Sequence, residues 1–166
     1  MIPVMIISAI VLMGGTIWGF YIAKKRSERN RKRIILISIL SMVLVAVSWF
    51  TNMGWIRFIL TIMLIPFFHA IIFFLTNLFA SAYANKSPNI KLLNQLFCAT
   101  YLIAYIFLPD GGDVGGLYFF FGLIHSDVLS YISQAISGIA FLGHIILFIL
   151  QVIQIVKVKK EVTSYD

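Results

Sequence analysis

Runs of about twenty residues without a charged side chain recur along this chain, and a helix of that length, rising 1.5 Å per residue, covers a hydrocarbon layer of about 30 Å. Five runs qualify: 3–23, 34–52, 58–80, 92–109 and 130–156. Backbone in lipid must satisfy its own hydrogen bonds, so such runs fold as helices. The expected architecture is all-α: a polytopic bundle of five transmembrane helices forming a single integral membrane domain over 1–166. Composition agrees, with 61% hydrophobic and only 11% charged residues, where a soluble domain carries about a quarter charged.

The charges that remain lie almost wholly between the runs. The segment 24–33, KKRSERNRKR, holds seven basic residues and one acid, and a segment this basic stays cytoplasmic by the positive-inside rule. Alternating sides from that anchor puts Arg57 outside, Lys86 and Lys91 inside, the acidic loop 109–127 outside, and Lys157, Lys159 and Lys160 inside. Twelve of the thirteen basic residues then face the cytoplasm, which sets the expected orientation as N-terminus outside and C-terminus inside. Trp49 and Trp55 fall at the outer interface in this scheme, and Trp18, Tyr21 and Tyr83 at the inner one. The first run lacks a leading basic residue and is followed by Lys24, Lys25 and Arg26, the pattern of a retained helix rather than a cleaved signal. A net charge of +7 thus reads as membrane topology, and nucleic acid is not an expected partner. The basic loop could also gather anionic headgroups, at about 1 kcal/mol per residue near the surface, although fixing topology suffices to explain it. A single cysteine, Cys98, rules out an intramolecular disulfide and a CxxC redox pair.

Turn chemistry at Thr51 to Gly54 predicts an antiparallel hairpin of the second and third helices. Gly15 and Gly19 have the GxxxG spacing that lets two membrane helices approach closely. Between Pro109 and Asp127 the pattern breaks. A glycine-rich turn, PDGGDVGG, precedes LYFFFGLI, which is apolar but too short to span, so a short interfacial or re-entrant outer segment is expected.

Two histidines are the main polar residues expected at mid-membrane. His69 lies eleven residues into its run and His144 fourteen into its own, both counted from the outer end, which places them at similar depth. Ser130, Ser133, Ser137, His144 and Gln151 follow helical spacing, so His69, His144, Ser137 and Gln151 form a candidate intramembrane polar site. Pro66 removes the N–H that would bond the carbonyl of Ile62 and should loosen the helix beside His69. Interhelical hydrogen bonding is the plain role of such a pair. The alternatives are a path for a polar solute or proton, or haem b held by His69 and His144. A second candidate site lies in the outer loop, where Asp110, Asp113, His125 and Asp127 face Arg57 and could hold Ca²⁺, Mg²⁺ or Zn²⁺. The simpler expectation there is a solvated turn with an ion pair from Arg57 to an aspartate.

No HExxH, GxSxG or Walker A sequence occurs, and none of the five runs contains an acid. The function expected is that of a small bacterial cytoplasmic-membrane protein of accessory type: a subunit, an immunity-type factor or a sensor, partnered by the bilayer and by another membrane protein or a second copy of itself. A small-solute transporter or substrate-capturing component, with the outer loop as lid and the histidines as floor, is the main rival. An outer-face membrane enzyme using His125 with Asp127 or Asp113 is the third.

Overall fold

A computed structural model describes residues 29–111 and 116–163. The first expected span, its glycine pair, most of the basic loop and Asp113 lie outside the described residues. Within them the chain is almost entirely helical: α1 (Arg29–Thr51), α2 (Trp55–Ile62), α3 (Ile65–Tyr83), α4 (Pro88–Ile106) and α5 (Asp127–Thr163), with two short strands, β1 (Tyr118–Phe119) and β2 (Ile124–His125), between α4 and α5. Three helices, Arg31–Thr51 of α1, α3 and α5, are long and apolar enough to cross a membrane, so the protein is membrane-embedded. The run expected at 92–109 does form a helix, α4, but it starts earlier and takes Asn89, Lys91, Asn94 and Gln95 into its first turns.

The run at 58–80 is not one helix. It breaks at Met63 and Leu64 into α2 and α3, with Leu64 in the left-handed region at φ 58°. Pro66 is the cause: its missing N–H and its ring are tolerated in the first turn of a helix and not in the interior. The backbone therefore ends α2, with the Met63 N–H donating to the Ile59 carbonyl and the Leu64 N–H to that of Thr61. It restarts with Phe67 and Phe68 both donating to the Leu64 carbonyl. The loosening anticipated at Pro66 is a complete interruption.

Helix α4 occupies the middle of the bundle, packed on α5 along its length and on α1 and α3 at its other faces. The apolar core joins Ile35, Ile39, Met42, Val45 and Trp49 of α1 to Phe73 and Phe74 of α3 and Phe97, Cys98 and Tyr101 of α4. Serines spaced along α1 are accommodated by bonding back into the helix, as Ser38 does to the Ile34 carbonyl and Ser41 to that of Ile37. A second, smaller core of Ile34, Ala80, Ala84, Ile90 and Val158 closes the far end.

The segment expected to be interfacial or re-entrant folds as a β-hairpin, Tyr118 opposite His125 and Phe119 opposite Ile124. Its turn takes positive φ at Phe120, Phe121 and Gly122. Backbone pairing of Asp110 with Tyr118 ties it to the end of α4. The hairpin and the α1–α2 turn together cap one end of the bundle, and Leu117, Leu123, Trp55, Ile56, Val128 and Tyr131 stand exposed around this cap.

Candidate functional site

Under the cap, Arg57 is fully buried, at 0% exposure, and Asp110 nearly so at 1%. Neither is part of a solvated turn; the Asp110 charge acts on Arg57 electrostatically, while the hydrogen bonds of both groups go to two separate sets of backbone atoms. The Asp110 carboxylate accepts from the backbone N–H groups of Gly54 (3.1 Å), Ile56 (3.1 Å) and Arg57 (2.7 Å), the opening of α2, and from that of Gly111 (2.9 Å). A helix start has orphan N–H groups and a positive dipole end; Gly54 at the N-cap has no side chain to serve them, so a carboxylate 53 residues away in sequence does. Gly54 is required there, since a Cβ would collide with the Gly111 backbone and the Asp110 carboxylate.

The Arg57 guanidinium serves the opposite ends of two other helices. It donates to the Ser48 carbonyl near the end of α1, and to the Tyr105 (3.1 Å) and Leu108 (2.7 Å) carbonyls at the end of α4. The guanidinium also lies over the Trp49 ring, 5.2 Å from its centroid. Trp49 in turn donates from its indole N–H to the Thr61 hydroxyl at 2.9 Å, and Thr61 donates to the Arg57 carbonyl at 2.6 Å. One cation and one anion thus terminate three helices. Asn52 extends the set by donating to the Tyr118 carbonyl at 2.7 Å, holding the hairpin down.

Of the outer-loop residues named as a metal candidate, Asp113 lies outside the described residues, and Asp110, His125 and Asp127 each have their own surroundings. Asp110 is spent on backbone, His125 stacks on Tyr118 with ring centroids 4.8 Å apart, and Asp127 stands exposed in the first turn of α5. Among the described residues no group of three or more potential metal ligands gathers.

The two histidines do meet. Their ring centroids are 4.9 Å apart, edge to face, within a sleeve of aromatic rings. Tyr101, Tyr105 and Phe141 surround His69, and Phe97 stacks on His144 at 4.1 Å. His69 Nδ1 is hydrogen-bonded to the Tyr105 hydroxyl at 2.6 Å. His144 Nδ1 lies 3.2 Å from both the Phe97 carbonyl and the Thr100 hydroxyl; facing a carbonyl, it carries its proton there. Two axial haem ligands stand on opposite faces of a flat macrocycle. Rings already in edge-to-face contact leave no such gap, and these residues do not fit haem.

Ser137 lies on the same seam, donating to the Ala104 carbonyl at 2.6 Å. Beside it a cleft of about 380 Å³ opens between the α2–α3 break and the capped half of α5, floored by α4. Leu60, Pro66, Leu108 and Phe141 give it apolar walls, and Tyr105, Gln134 and Ser137 bring polar groups to it. Tyr105 therefore links the cleft to His69. Pro66 and Tyr105 matter more than their residue types suggest: the proline opens the space by ending α2, and the tyrosine is shared by cleft and histidine pair. Sequence reasoning also passed over Asn77, which accepts from the Asn94 amide and donates to the Phe73 carbonyl at 2.9 Å, deep in the opposite half of the bundle. Its one visible signal was a carboxamide amid a long apolar run, eight residues after His69. Compared with known proteins, the chain matches no family model, no curated protein and no solved structure.

Proposed function

We propose that this chain is a small multi-pass protein of a bacterial cytoplasmic membrane that captures a small amphiphilic ligand in the cleft beside Tyr105, and serves as a sensor or accessory component. The cleft carries the reading. An apolar recess with a few convergent polar groups is the usual form of a small-molecule site, and this one opens at the flank of the helices, where a ligand dissolved in lipid can enter. Gly138 provides a clean test, because it lines the cleft and a Cβ placed on it meets nothing within 4 Å. Gly138→Phe should place its ring in the recess, starting from a Cβ that meets no neighbour. Native mass spectrometry of protein purified from its host membrane should find a retained small molecule on the natural chain, reduced at least tenfold in Gly138→Phe at unchanged Tm. Equal occupancy in both, or a bare natural chain, counts against capture.

The carrier reading draws on the polar seam of Ser133, Ser137, His144 and Gln151 facing α4. Movement of the captured molecule across proteoliposomes, abolished by His69→Ala or His144→Ala, would favour it over a sensor.

The topology belongs to the same proposal: five crossings, N-terminus outside, C-terminus in the cytoplasm, and the hairpin cap at the outer surface with its exposed apolar rim resting in the headgroup region. The support is the distribution of basic residues, twelve of thirteen on one side. Cys98 is the single cysteine, so single-cysteine variants in a Cys98→Ala background can be read individually. A cysteine at Leu123 should react with an impermeant maleimide on intact cells, and one at Lys157 only after lysis. The opposite result inverts the orientation.

A further inference from the structure

Along the seam between α4 and α5, the polar side chains of α5 spend their hydrogen bonds on α4. Ser133 donates to the Phe107 carbonyl, Ser137 to that of Ala104, His144 Nδ1–H to that of Phe97, and the Gln154 amide to the Ser87 hydroxyl at 3.3 Å. As one index rises the other falls, so the helices are antiparallel. This register puts Gln151 level with Ile90, between the Phe97 and Ser87 contacts.

Gln151 breaks the pattern. Its side chain is fully buried, at 0% exposure, and neither the amide nitrogen nor the amide oxygen has a partner. The Ile90 side chain opposite it is hydrocarbon. A buried amide left unpaired costs several times what an ordinary hydrogen bond contributes, and native interiors pair nearly all such groups.

We infer that Gln151 is a water-binding site inside the bundle. The identity of the ligand follows from the two orphaned atoms. A cation would satisfy only the oxygen and an anion only the N–H, whereas water donates and accepts at once. Buried waters typically make about three hydrogen bonds, and the buried polar side chains within about one turn of Ile90 on α4 are Ser87, which already accepts from Gln154, and Asn94, which donates to Asn77. The inference stands apart from the cleft, which lies in the other half of the bundle.

Water-edited solid-state NMR of the full chain in lipid bilayers tests it. The chain has four glutamines, so selective ¹⁵N-glutamine labelling gives a small set of side-chain amide signals, assigned in the natural chain through their own backbone correlations. Transfer from water to the Gln151 amide should build up as fast, within about twofold, as transfer to the half-buried Gln154. Absence of transfer at mixing times that saturate Gln154 overturns the site. Thermal unfolding of Gln151→Met gives a second readout through its sign. Replacing a hydrated, satisfied amide leaves Tm unchanged or lowers it; a rise of several degrees marks an amide that had been unsatisfied, and overturns the inference.

Discussion

Replacing Arg57 with methionine should destabilise the protein by roughly 3–5 kcal/mol, the range seen when one member of a buried, hydrogen-bonded charge set is removed. In detergent or nanodiscs this appears as a fall in Tm of about 10 °C or more, or as loss of a monodisperse peak. The apolar stem is matched in size, so the effect isolates the guanidinium. Three carbonyls, those of Ser48, Tyr105 and Leu108, would lose their donor at two helix ends where water does not reach. The Asp110 carboxylate would also keep its burial without a neighbouring positive charge. Lysine should recover only part of the loss. Its ammonium carries the charge, but it lacks the flat fork that reaches two helices at once. A Tm within 2 °C of the natural chain for Arg57→Met would mean that the helix ends are satisfied in some other way.

Asp110→Ala is expected to cost roughly 2–3 kcal/mol, more than an ordinary N-cap deletion because the carboxylate accepts four backbone N–H groups rather than one. The damage should be local. Helix α2 has only eight residues, too few to persist on intrinsic propensity, so loss of its cap should release α2 and the hairpin while the deeper core of α1, α3 and α4 holds. Limited proteolysis is the discriminating measurement: cleavage should appear between residues 116 and 126 in Asp110→Ala at temperatures where the natural chain resists. Asp110→Asn should fall between the two, since one oxygen still accepts. Equal protease resistance of all three would remove Asp110 from its role as a cap.

Within the described residues, most helix positions were legible in the sequence because lipid makes hydropathy nearly sufficient: a long apolar run has few other ways to satisfy its backbone. Where the reading fell short, a local rule outweighed composition. The interruption at Leu64 was foreshadowed by Pro66, but composition alone could not show whether the helix would kink or stop. The histidines were placed at a common depth by counting residues, and they do meet. That they meet edge to face inside an aromatic sleeve, with no room for a macrocycle, depends on rotamers and on Phe97 and Tyr105, which counting cannot supply. Arg57 and Asp110 were singled out together for their opposite charges. Their actual partners are backbone groups, because burial made the helix ends the more demanding claimants. Backbone demand of this kind has no signature in side-chain chemistry, and so it was invisible before the fold. Gln151 was recognised through its helical spacing with His144, and its lack of a partner emerged only with the register of α4 against α5.

Helix α5 runs 37 residues without interruption, about 55 Å at the α-helical rise, against a hydrocarbon layer of about 30 Å. More than a third of it must extend past the lipid tails. Since α5 starts directly after the hairpin and ends beyond Lys157, Lys159 and Lys160, a single rod joins the lysines to the cap. A tilt of 10° imposed there would sweep the lysine-bearing tip through about 9 Å, the distance across one neighbouring helix. The same tilt would carry Phe141, fourteen residues along α5, through about 4 Å, so motion of the lysine-bearing tip as a rigid rod is coupled to repacking of the cleft wall.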